Sequence, residues 1–295
     1  MLENTPVFAR ATAMKYCVCL VVVMIVVCGA MGEDPFAPAV GPMIVAHRGA
    51  SHDAPENTLA AFKLAWEQGA DAIEGDFRLT QDGHVVCIHD KTTKRTAGKD
   101  MPVAGSTLEQ LRALDVGKKK GAKWRGQTIP TLREVLDTIP EGKKLFLEVK
   151  CGSEIIAPLK EILGNSGLGS EQVVVISFDA KVLAEIKKEL LEYKTLWLTE
   201  YMKNTLTNTW EPSRSKILRT LRRSNADGLS SKAHAAANAG LAGALHKAGK
   251  ELHIWGMRRF SDTTRYRSLG ALSFTTDRPA WLRDMLEKFS KGEAS

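Results

Sequence analysis

The sequence is poor in cysteine and lacks a long apolar span, and each shortage excludes a class of protein. Only five cysteines occur among 295 residues, so a small scaffold held by disulfides is excluded. The uncharged apolar run at residues 16–27 is too short to cross a bilayer comfortably, since about 20 apolar residues are needed. With 44% hydrophobic and 25% charged residues, the chain has a globular composition, which excludes disorder, collagen and coiled coil.

Residues 1–32 have the layout of a secretory signal. Arg10 and Lys15 precede the apolar run, and small residues follow it at positions 28–32, which gives a positive, a hydrophobic and a cleavage region in order. This pattern predicts export to the periplasm or the extracellular space. An uncleaved N-terminal anchor is the alternative, and only then do we expect contact with a membrane. Residues 33–42 contain three prolines and are expected to form a flexible segment.

Basic residues exceed acidic ones, 41 against 34, which gives a formal net charge of +7. They gather in two runs, at residues 91–99 and 118–125. No nucleic-acid-binding motif accompanies these runs, so we interpret them as solvated surface loops and expect no nucleic-acid partner. Their positive charge would favour a small anionic substrate.

Beyond Pro42, short apolar runs alternate with amphipathic segments, and no Pro- or Ser-rich linker divides them. Eight such alternations predict one α/β domain over residues 43–290, a (β/α)8 TIM barrel of parallel strands. The predicted strands are Met43–Ala46, Ala72–Phe77, Leu145–Val149, Val173–Phe178, Thr195–Leu198, Ala226–Leu229, Leu252–Trp255 and Ala271–Thr275. The predicted helices are Thr58–Glu67, Thr131–Asp137, Ser153–Leu163, Ala180–Leu191, Ser215–Arg223, Ala235–Ala248, Asp262–Leu269 and Pro279–Phe289.

One extended run, His84–His89, does not fit this alternation. The tight-turn sequence Gln81-Asp82-Gly83 separates it from the second strand, whereas a parallel crossover needs a dozen or more residues. The pattern therefore predicts a hairpin that returns His89 and Asp90 to the barrel rim. A small insertion over about residues 91–127 is expected to follow it.

Charged residues occur at the ends of the predicted strands, where barrels of this type hold their active sites. The first strand ends in His47-Arg48-Gly49, the second contains Glu74-Gly75-Asp76, and the third ends in Glu148-Val149-Lys150. Because strand side chains alternate between two faces, the two charged groups of the second strand point the same way, as do those of the third. Ionised groups in a barrel interior are costly unless they are paired or bind a metal, so this pattern predicts a functional site.

Seven short motifs follow one another in a fixed order between residues 43 and 279. They are Ala46-His47-Arg48-Gly49, Pro55-Glu56-Asn57-Thr58, Glu74-Gly75-Asp76, the Asp82-Gly83 turn with His89-Asp90, Ile129-Pro130-Thr131-Leu132, Glu148-Val149-Lys150 and Thr276-Asp277-Arg278-Pro279. A single motif is weak evidence, but the ordered set resembles the glycerophosphodiester phosphodiesterase family. The barrel fold of that family agrees with the fold predicted from the strand pattern.

The resemblance implies a metal-dependent hydrolysis of glycerophosphodiesters to sn-glycerol 3-phosphate and an alcohol. Glu74, Asp76 and Glu148 match the metal-ligand positions of the family, and their hard oxygen atoms favour Mg²⁺ or Ca²⁺. His47 and His89 match its general acid/base pair, since an imidazole can both accept and donate a proton near neutral pH.

Four further residues are expected to bind the substrate. Arg48 and Lys150 would neutralise the diester phosphate. Phe178 and Trp255 would form a wall of the site, with plain barrel packing as the alternative. For Asn57-Thr58, we favour capping of the first helix over a role in the site.

Two other functions are compatible with the same barrel. Cleavage of an intact phospholipid is disfavoured, because no apolar surface loop or amphipathic helix stands out for contact with lipid. A non-catalytic exported binding protein is disfavoured, because the key polar positions are filled with chemically competent residues. The chain departs from the family pattern after Trp255, where it reads Gly256-Met257-Arg258-Arg259, and this leaves headgroup preference open.

Overall fold

The computed structural model describes residues 41–290. The predicted signal at residues 1–32, and nearly all of the predicted flexible segment, lie outside the described residues. Within residues 41–290, none of the helices combines the length and the apolar character that a membrane span requires.

Eight parallel strands close into a barrel, and helices follow the strands along the chain, which confirms the predicted (β/α)8 fold. Closure is completed where β1 pairs with both β2 and β11. The strands are β1 Met43–His47, β2 Ala72–Leu79, β3 Val85–Cys87, β4 Lys144–Val149, β5 Val173–Ser177, β6 Lys194–Thr199, β7 Met202–Asn204, β8 Thr209–Glu211, β9 Gly228–Lys232, β10 Glu251–Trp255 and β11 Ser273–Thr276. The helices are α1 Leu59–Glu67, α2 Lys94–Ala97, α3 Leu108–Arg112, α4 Leu132–Leu136, α5 Ile156–Gly164, α6 Ala180–Glu189, α7 Arg214–Ser224, α8 Ala239–Lys247, α9 Phe260–Arg267 and α10 Pro279–Ser290.

A small apolar cluster fills the barrel interior below the site. Its buried members are Val45, Ala72, Phe146, Val174, Ile176, Leu196 and Leu198. Because strand side chains repeat every two residues, Glu74 lies one layer above Ala72, and Glu148 lies one layer above Phe146. The barrel interior therefore changes from apolar to anionic toward the carboxyl ends of the strands.

The predicted hairpin is confirmed. Strand β2 continues past the barrel and pairs antiparallel with β3, from Phe77 opposite Cys87 to Leu79 opposite Val85. The chain then returns to the rim, where the backbone N–H of Ile88 donates to the carbonyl oxygen of Asp76 at 2.8 Å. This bond holds the residues after β3 beside the carboxylates of β2.

The insertion after β3 is more ordered than its Lys- and Gly-rich sequence indicates. It contains the short helices α2 and α3, and a satellite core of its own forms beneath them. Val103 and Leu111 pack in that core against Val86 and Ile88 of the hairpin. The insertion is therefore packed against the hairpin strand β3 and the residues that lead from it to His89.

The structure corrects two other local predictions. Strand β9 begins at Gly228 instead of Ala226 and runs on through polar residues to Lys232. Its start is delayed because α7 ends in a left-handed cap at Asn225. The hairpin β7–β8 was not predicted, because its residues are almost all exposed and show no apolar alternation.

Gly49 and Gly83 offer a matched test of the packing between β1 and α1. Both glycines have a left-handed φ, 79° and 83°. A Cβ on Gly49 would lie 2.6 Å from the carbonyl carbon of Ala61, whereas a Cβ on Gly83 would meet nothing within 4 Å.

Replacement of either glycine by alanine carries a left-handed strain of about 1–2 kcal/mol. We expect Gly49→Ala to lose about 1–3 kcal/mol more than Gly83→Ala in urea unfolding, because its contact requires a backbone shift. Equal losses for the two variants would contradict this packing.

Candidate active site

Three buried carboxylates meet where the interior becomes anionic. Glu74 and Asp76 lie on β2, and Glu148 lies opposite Asp76 on the neighbouring strand β4. Each residue offers one oxygen within 4.8 Å of the others, and all three side chains are buried. The structure thus brings together the three residues that the sequence proposed as metal ligands.

Two cations face these three carboxylates. Arg48 Nε lies 3.0 Å from Asp76 Oδ2, and Lys150 Nζ lies 2.8 Å from Glu148 Oε1 and 3.6 Å from Asp76 Oδ1. Although burial opposes it, these two cations lower the pKa of Asp76. Burial, reinforced by the charge of Asp76, raises the pKa of Glu74 well above its ordinary value and that of Glu148 to about 7. With all three carboxylates ionised, the cluster would carry one more negative charge than Arg48 and Lys150 neutralise, and without a further cation it retains protons instead.

The carboxylate cluster fits a divalent cation. Glu74 Oε1 and Asp76 Oδ1 are buried without a hydrogen-bond partner, and a buried acceptor without a partner is costly. Glu74, Asp76 and Glu148 supply only hard oxygen atoms, which suits Mg²⁺ or Ca²⁺. A bound cation would satisfy the free oxygens and offset the unneutralised charge.

His47, at the end of β1, is oriented by Asp277. Its Nδ1 lies 2.6 Å from Asp277 Oδ1, and the Ser51 hydroxyl donates to the same oxygen at 3.2 Å. Because an ionised carboxylate only accepts hydrogen bonds, Nδ1 carries the proton, and Nε2 faces Glu74 at 4.0 Å. Asp277 lies in a motif that the sequence singled out without assigning this role.

His89 is held in the same way by its chain neighbour. Its Nδ1 lies 2.6 Å from Asp90 Oδ1, and its carbonyl oxygen accepts two hydrogen bonds from the guanidinium of Arg78, at 2.9 and 2.7 Å. Burial lowers the pKa of His89, and the positive charge of Arg48 adds to this effect against the opposing charge of Asp76. The imidazole of His89 is therefore fixed in position and releases its proton readily.

A cavity of about 190 Å³ opens above the carboxylates. Phe178 and Trp255 stand on its wall in an edge-to-face pair, with ring centroids 6.0 Å apart, and Lys150 Nζ lies 5.7 Å from the Phe178 ring. Glu200 also lines the cavity, although nothing in the sequence singled it out. Of the nine residues predicted for the site, eight line this cavity: His47, Arg48, Glu74, His89, Glu148, Lys150, Phe178 and Trp255. Asp76 belongs to the carboxylate cluster.

The capping interpretation holds for Thr58 and is wrong for Asn57. Thr58 caps α1 by accepting a hydrogen bond from the backbone N–H of Ala61. Asn57 adopts a left-handed φ of 56°, and its Nδ2 donates to Asp76 Oδ2 at 2.8 Å while its Oδ1 accepts from Asp76 N–H at 3.2 Å. Thr58 alone supplies the cap, and Asn57 is released to hold Asp76.

Arg95, which the sequence placed on a solvated basic surface, contacts the site instead. Its guanidinium donates to both oxygens of Glu56, at 2.6 and 2.8 Å, and to both oxygens of Asp90, at 2.7 and 3.2 Å. Glu56 in turn accepts from Arg48 at 3.0 Å. One side chain of the insertion thus connects the loop after β1, which carries Arg48, to the aspartate that orients His89.

The fold and the site together define a TIM barrel with an acidic cluster that could hold a metal ion and with two oriented histidines. Residues 47–281 match the model of the glycerophosphoryl diester phosphodiesterase family. The chain belongs to this family, which confirms the resemblance seen in the sequence.

Named relatives agree with this assignment. The chain is 44% identical over 152 residues to a glycerophosphodiester phosphodiesterase of Caldanaerobacter subterraneus subsp. tengcongensis, a match that covers 50% of this chain and 62% of that protein. It is also 31% identical over 242 residues to YhdW of Bacillus subtilis, a protein that bears the same family name. This match covers 81% of this chain and 96% of that protein.

Solved structures show the same fold. A phosphodiesterase of Oleispira antarctica, in complex with the product sn-glycerol-3-phosphate, superposes with a TM-score of 0.74 at 26% identity, over 83% of this chain and 97% of that chain. A glycerophosphodiester phosphodiesterase of Agrobacterium tumefaciens superposes with a TM-score of 0.66 at 26% identity, over 81% and 97% of the two chains.

Arg95 should act as a positioning residue. We expect Arg95→Ala to lower kcat for glycerophosphocholine by about tenfold or more with a smaller change in KM, because His89 and Arg48 lose their shared support. Arg95→Lys should recover only part of the activity, since an ammonium cannot make two paired contacts at once. Lys94→Ala is the matched control, because Lys94 is an exposed neighbour that pairs with Asp100, outside the site. Unchanged kcat in Arg95→Ala, with native unfolding, would contradict this role.

The raised pKa of Glu148, about 7, predicts a pH effect on the metal-free protein. The folded state keeps a proton that the unfolded state loses near pH 4.5, so this group lowers stability as the pH rises toward about 7. Burial lowers the pKa values of His89 and His253 below the usual 6.5. These two groups therefore raise the stability of the folded state as the pH rises toward 6.5, which opposes the effect of Glu148. The effect is therefore measured as a difference between wild type and Glu148→Gln.

In a chelator, we expect the melting temperature of Glu148→Gln to rise relative to wild type as the pH increases from about 5.5 to about 7.5. Added Mg²⁺ should stabilise wild type more than Glu148→Gln, because the cation offsets the carboxylate charge. Differential scanning fluorimetry measures both effects. A difference between the two proteins that does not change with pH would argue against a buried, protonated Glu148.

Proposed function

We propose that this protein hydrolyses glycerophosphodiesters to sn-glycerol 3-phosphate and an alcohol, with Mg²⁺ or Ca²⁺ held by Glu74, Asp76 and Glu148. One observation carries the proposal: two histidines, each oriented at Nδ1 by an aspartate, line one cavity together with buried carboxylates. The product named in the Oleispira antarctica structure supports the identity of the phosphomonoester. Export, through the signal pattern of residues 1–32, is part of the proposal.

His47 acts as the base and His89 as the acid. The nucleophile, either water or a neighbouring glycerol hydroxyl, gives its proton to His47 Nε2 and attacks phosphorus. The bond between phosphorus and the alcohol oxygen then breaks, and His89 donates its proton to that oxygen. If the hydroxyl attacks, water must then open the resulting cyclic phosphate to give sn-glycerol 3-phosphate. The environments favour this direction: Asp277 is ion-paired with His47 and stabilises the imidazolium that forms, whereas the charge of Asp90 is shared with Arg95.

Arg48 and Lys150 bind the phosphoryl oxygens. Both side chains line the cavity and are only partly exposed, so their charges are weakly screened. A bound divalent cation supplies further stabilisation of negative charge on the phosphoryl group. The ion pairs of Arg48 with Asp76 and Glu56 do not compete with this role, because they hold the guanidinium in place. Phe178 and Trp255 border the space left for the substrate.

The decisive assay measures release of glycerol phosphate from glycerophosphocholine. We expect turnover to vanish in a chelator and to return with Mg²⁺ or Ca²⁺. His89→Ala should lose activity on glycerophosphocholine and keep part of it on a diester with a p-nitrophenol leaving group, because that group departs without a proton. His47→Ala should lose activity on both substrates.

Three results would argue against the proposal. Full turnover in the metal-free protein would remove the role of the cation. Equal losses of the two histidine variants on both substrates would remove the division between acid and base. Binding of glycerophosphocholine without any product, in the presence of the metal, would favour a binding protein on the same barrel.

A further inference from the structure

The hairpin β7–β8 projects from the catalytic rim of the barrel. It connects β6 to α7, and such strand-to-helix connections lie at the face that carries the active site. Glu200, two residues before the first strand of the hairpin, lines the catalytic cavity. The hairpin therefore begins at the mouth of the site.

Three large apolar side chains are exposed on this short hairpin. Met202 is 74% exposed, Leu206 at the tip is 95% exposed, and Trp210 is 43% exposed. Among the described residues, only two other large apolar side chains are comparably exposed: Phe178, on the wall of the site, and Leu191. The hairpin thus exposes an unusually large apolar surface to water.

This surface does not stand out in the sequence, because its apolar residues lie four positions apart among polar ones. The structure therefore exposes an apolar loop that the sequence pattern did not reveal. Only the hairpin conformation places Leu206 at a projecting tip.

The base of the hairpin is anchored, and this fixes the direction of the tip. The ring of Tyr201 stacks on His234 with centroids 4.9 Å apart, and Trp210 meets the same imidazole edge-on at 4.3 Å. At the tip, Asn204 Oδ1 accepts hydrogen bonds from the backbone N–H groups of Leu206 and Thr207. Leu206 is therefore held outward by an ordered turn.

The charge around the hairpin is positive. Residues 200–216 contain three Lys or Arg and two acids. Each acid pairs with a lysine, Glu200 with Lys232 and Glu211 with Lys216 at 3.8 Å. Lys203 lies on the hairpin, and Arg214 begins the helix that follows it. Both are exposed. A convex apolar tip among exposed cations matches an anionic phospholipid surface, where the tip enters the apolar layer and the cations meet the headgroups.

We propose that the β7–β8 hairpin docks this protein on an anionic phospholipid surface, with Leu206 and Met202 inserted and Lys203 and Arg214 at the headgroups. The active-site rim then faces the lipid. This inference does not depend on the proposed hydrolysis, because it concerns binding alone.

Co-sedimentation with vesicles tests the docking. Full-length wild type should bind vesicles of phosphatidylcholine mixed with phosphatidylglycerol better than phosphatidylcholine alone. Leu206→Ser should lower the partition coefficient about tenfold or more, since one buried leucine side chain is lost from the apolar layer. Lys203→Glu should lower it about fivefold or more on the mixed vesicles, and this loss should shrink in high salt.

The opposite face of the barrel supplies matched controls. Leu191 and Lys188 are exposed and lie in or beside the connection from α6 to β6, away from the catalytic rim. Leu191→Ser and Lys188→Glu should bind vesicles like wild type. All four variants should turn over soluble glycerophosphocholine at the wild-type rate, because none of these residues lines the catalytic cavity.

A local probe separates the hairpin from the N-terminal apolar run, which is present in every full-length variant. The fluorescence of Leu206→Trp should be quenched by brominated acyl chains, relative to wild type, whereas that of Leu191→Trp should not. Leu206→Met should keep vesicle binding, since it preserves an apolar tip.

Two outcomes would overturn the proposal. One is wild-type partition of Leu206→Ser together with equal quenching of the two tryptophan variants. The other is a concentration-dependent dimer in sedimentation velocity that Leu206→Ser abolishes while vesicle binding is unchanged, which would assign the tip to a second copy of the chain.

Discussion

Three carboxylates buried at one point of the barrel are the constraint on which the rest of the site depends. Glu74, Asp76 and Glu148 lie above an apolar interior, where ionised groups are costly unless they are paired. Arg48 and Lys150 supply two of the charges needed, and two carboxylate oxygens still lack hydrogen-bond partners. A divalent cation would satisfy these oxygens. The same charges also set the affinity of the site for protons.

Around this centre, several of the proposed catalytic and metal-binding groups are held by partners from other parts of the chain. Asp277, directly after the last barrel strand, orients His47 on the first one. Asn57 holds Asp76, and Arg95 reaches from the insertion to support both Glu56 and Asp90. The groups proposed to touch the substrate are thus fixed by a surrounding layer of hydrogen bonds, which would limit the reorganisation that the proposed reaction requires. The insertion serves the site as part of this layer.

Much of this arrangement was predictable because strand periodicity is local. Alternating apolar runs, each followed by a helical pattern, were enough to predict the barrel. The charged strand ends were enough to predict three carboxylates and two histidines as neighbours. The short Gln81-Asp82-Gly83 turn was enough to predict the hairpin. Boundaries were less accurate at β9, where polar residues continue the strand and carry no apolar signal.

By itself, the sequence determined the barrel and the chemistry at its strand ends, since both follow from side-chain alternation and from the cost of burying charge. Only the tertiary structure decided which residues support that chemistry. Asp277 and His47 are 230 positions apart, and Glu56 and Arg95 are 39 apart, so their pairing exists only after the barrel closes and the insertion folds onto it. Tertiary structure likewise decided that Leu206 is exposed at a projecting tip, because exposure depends on what the rest of the chain leaves uncovered.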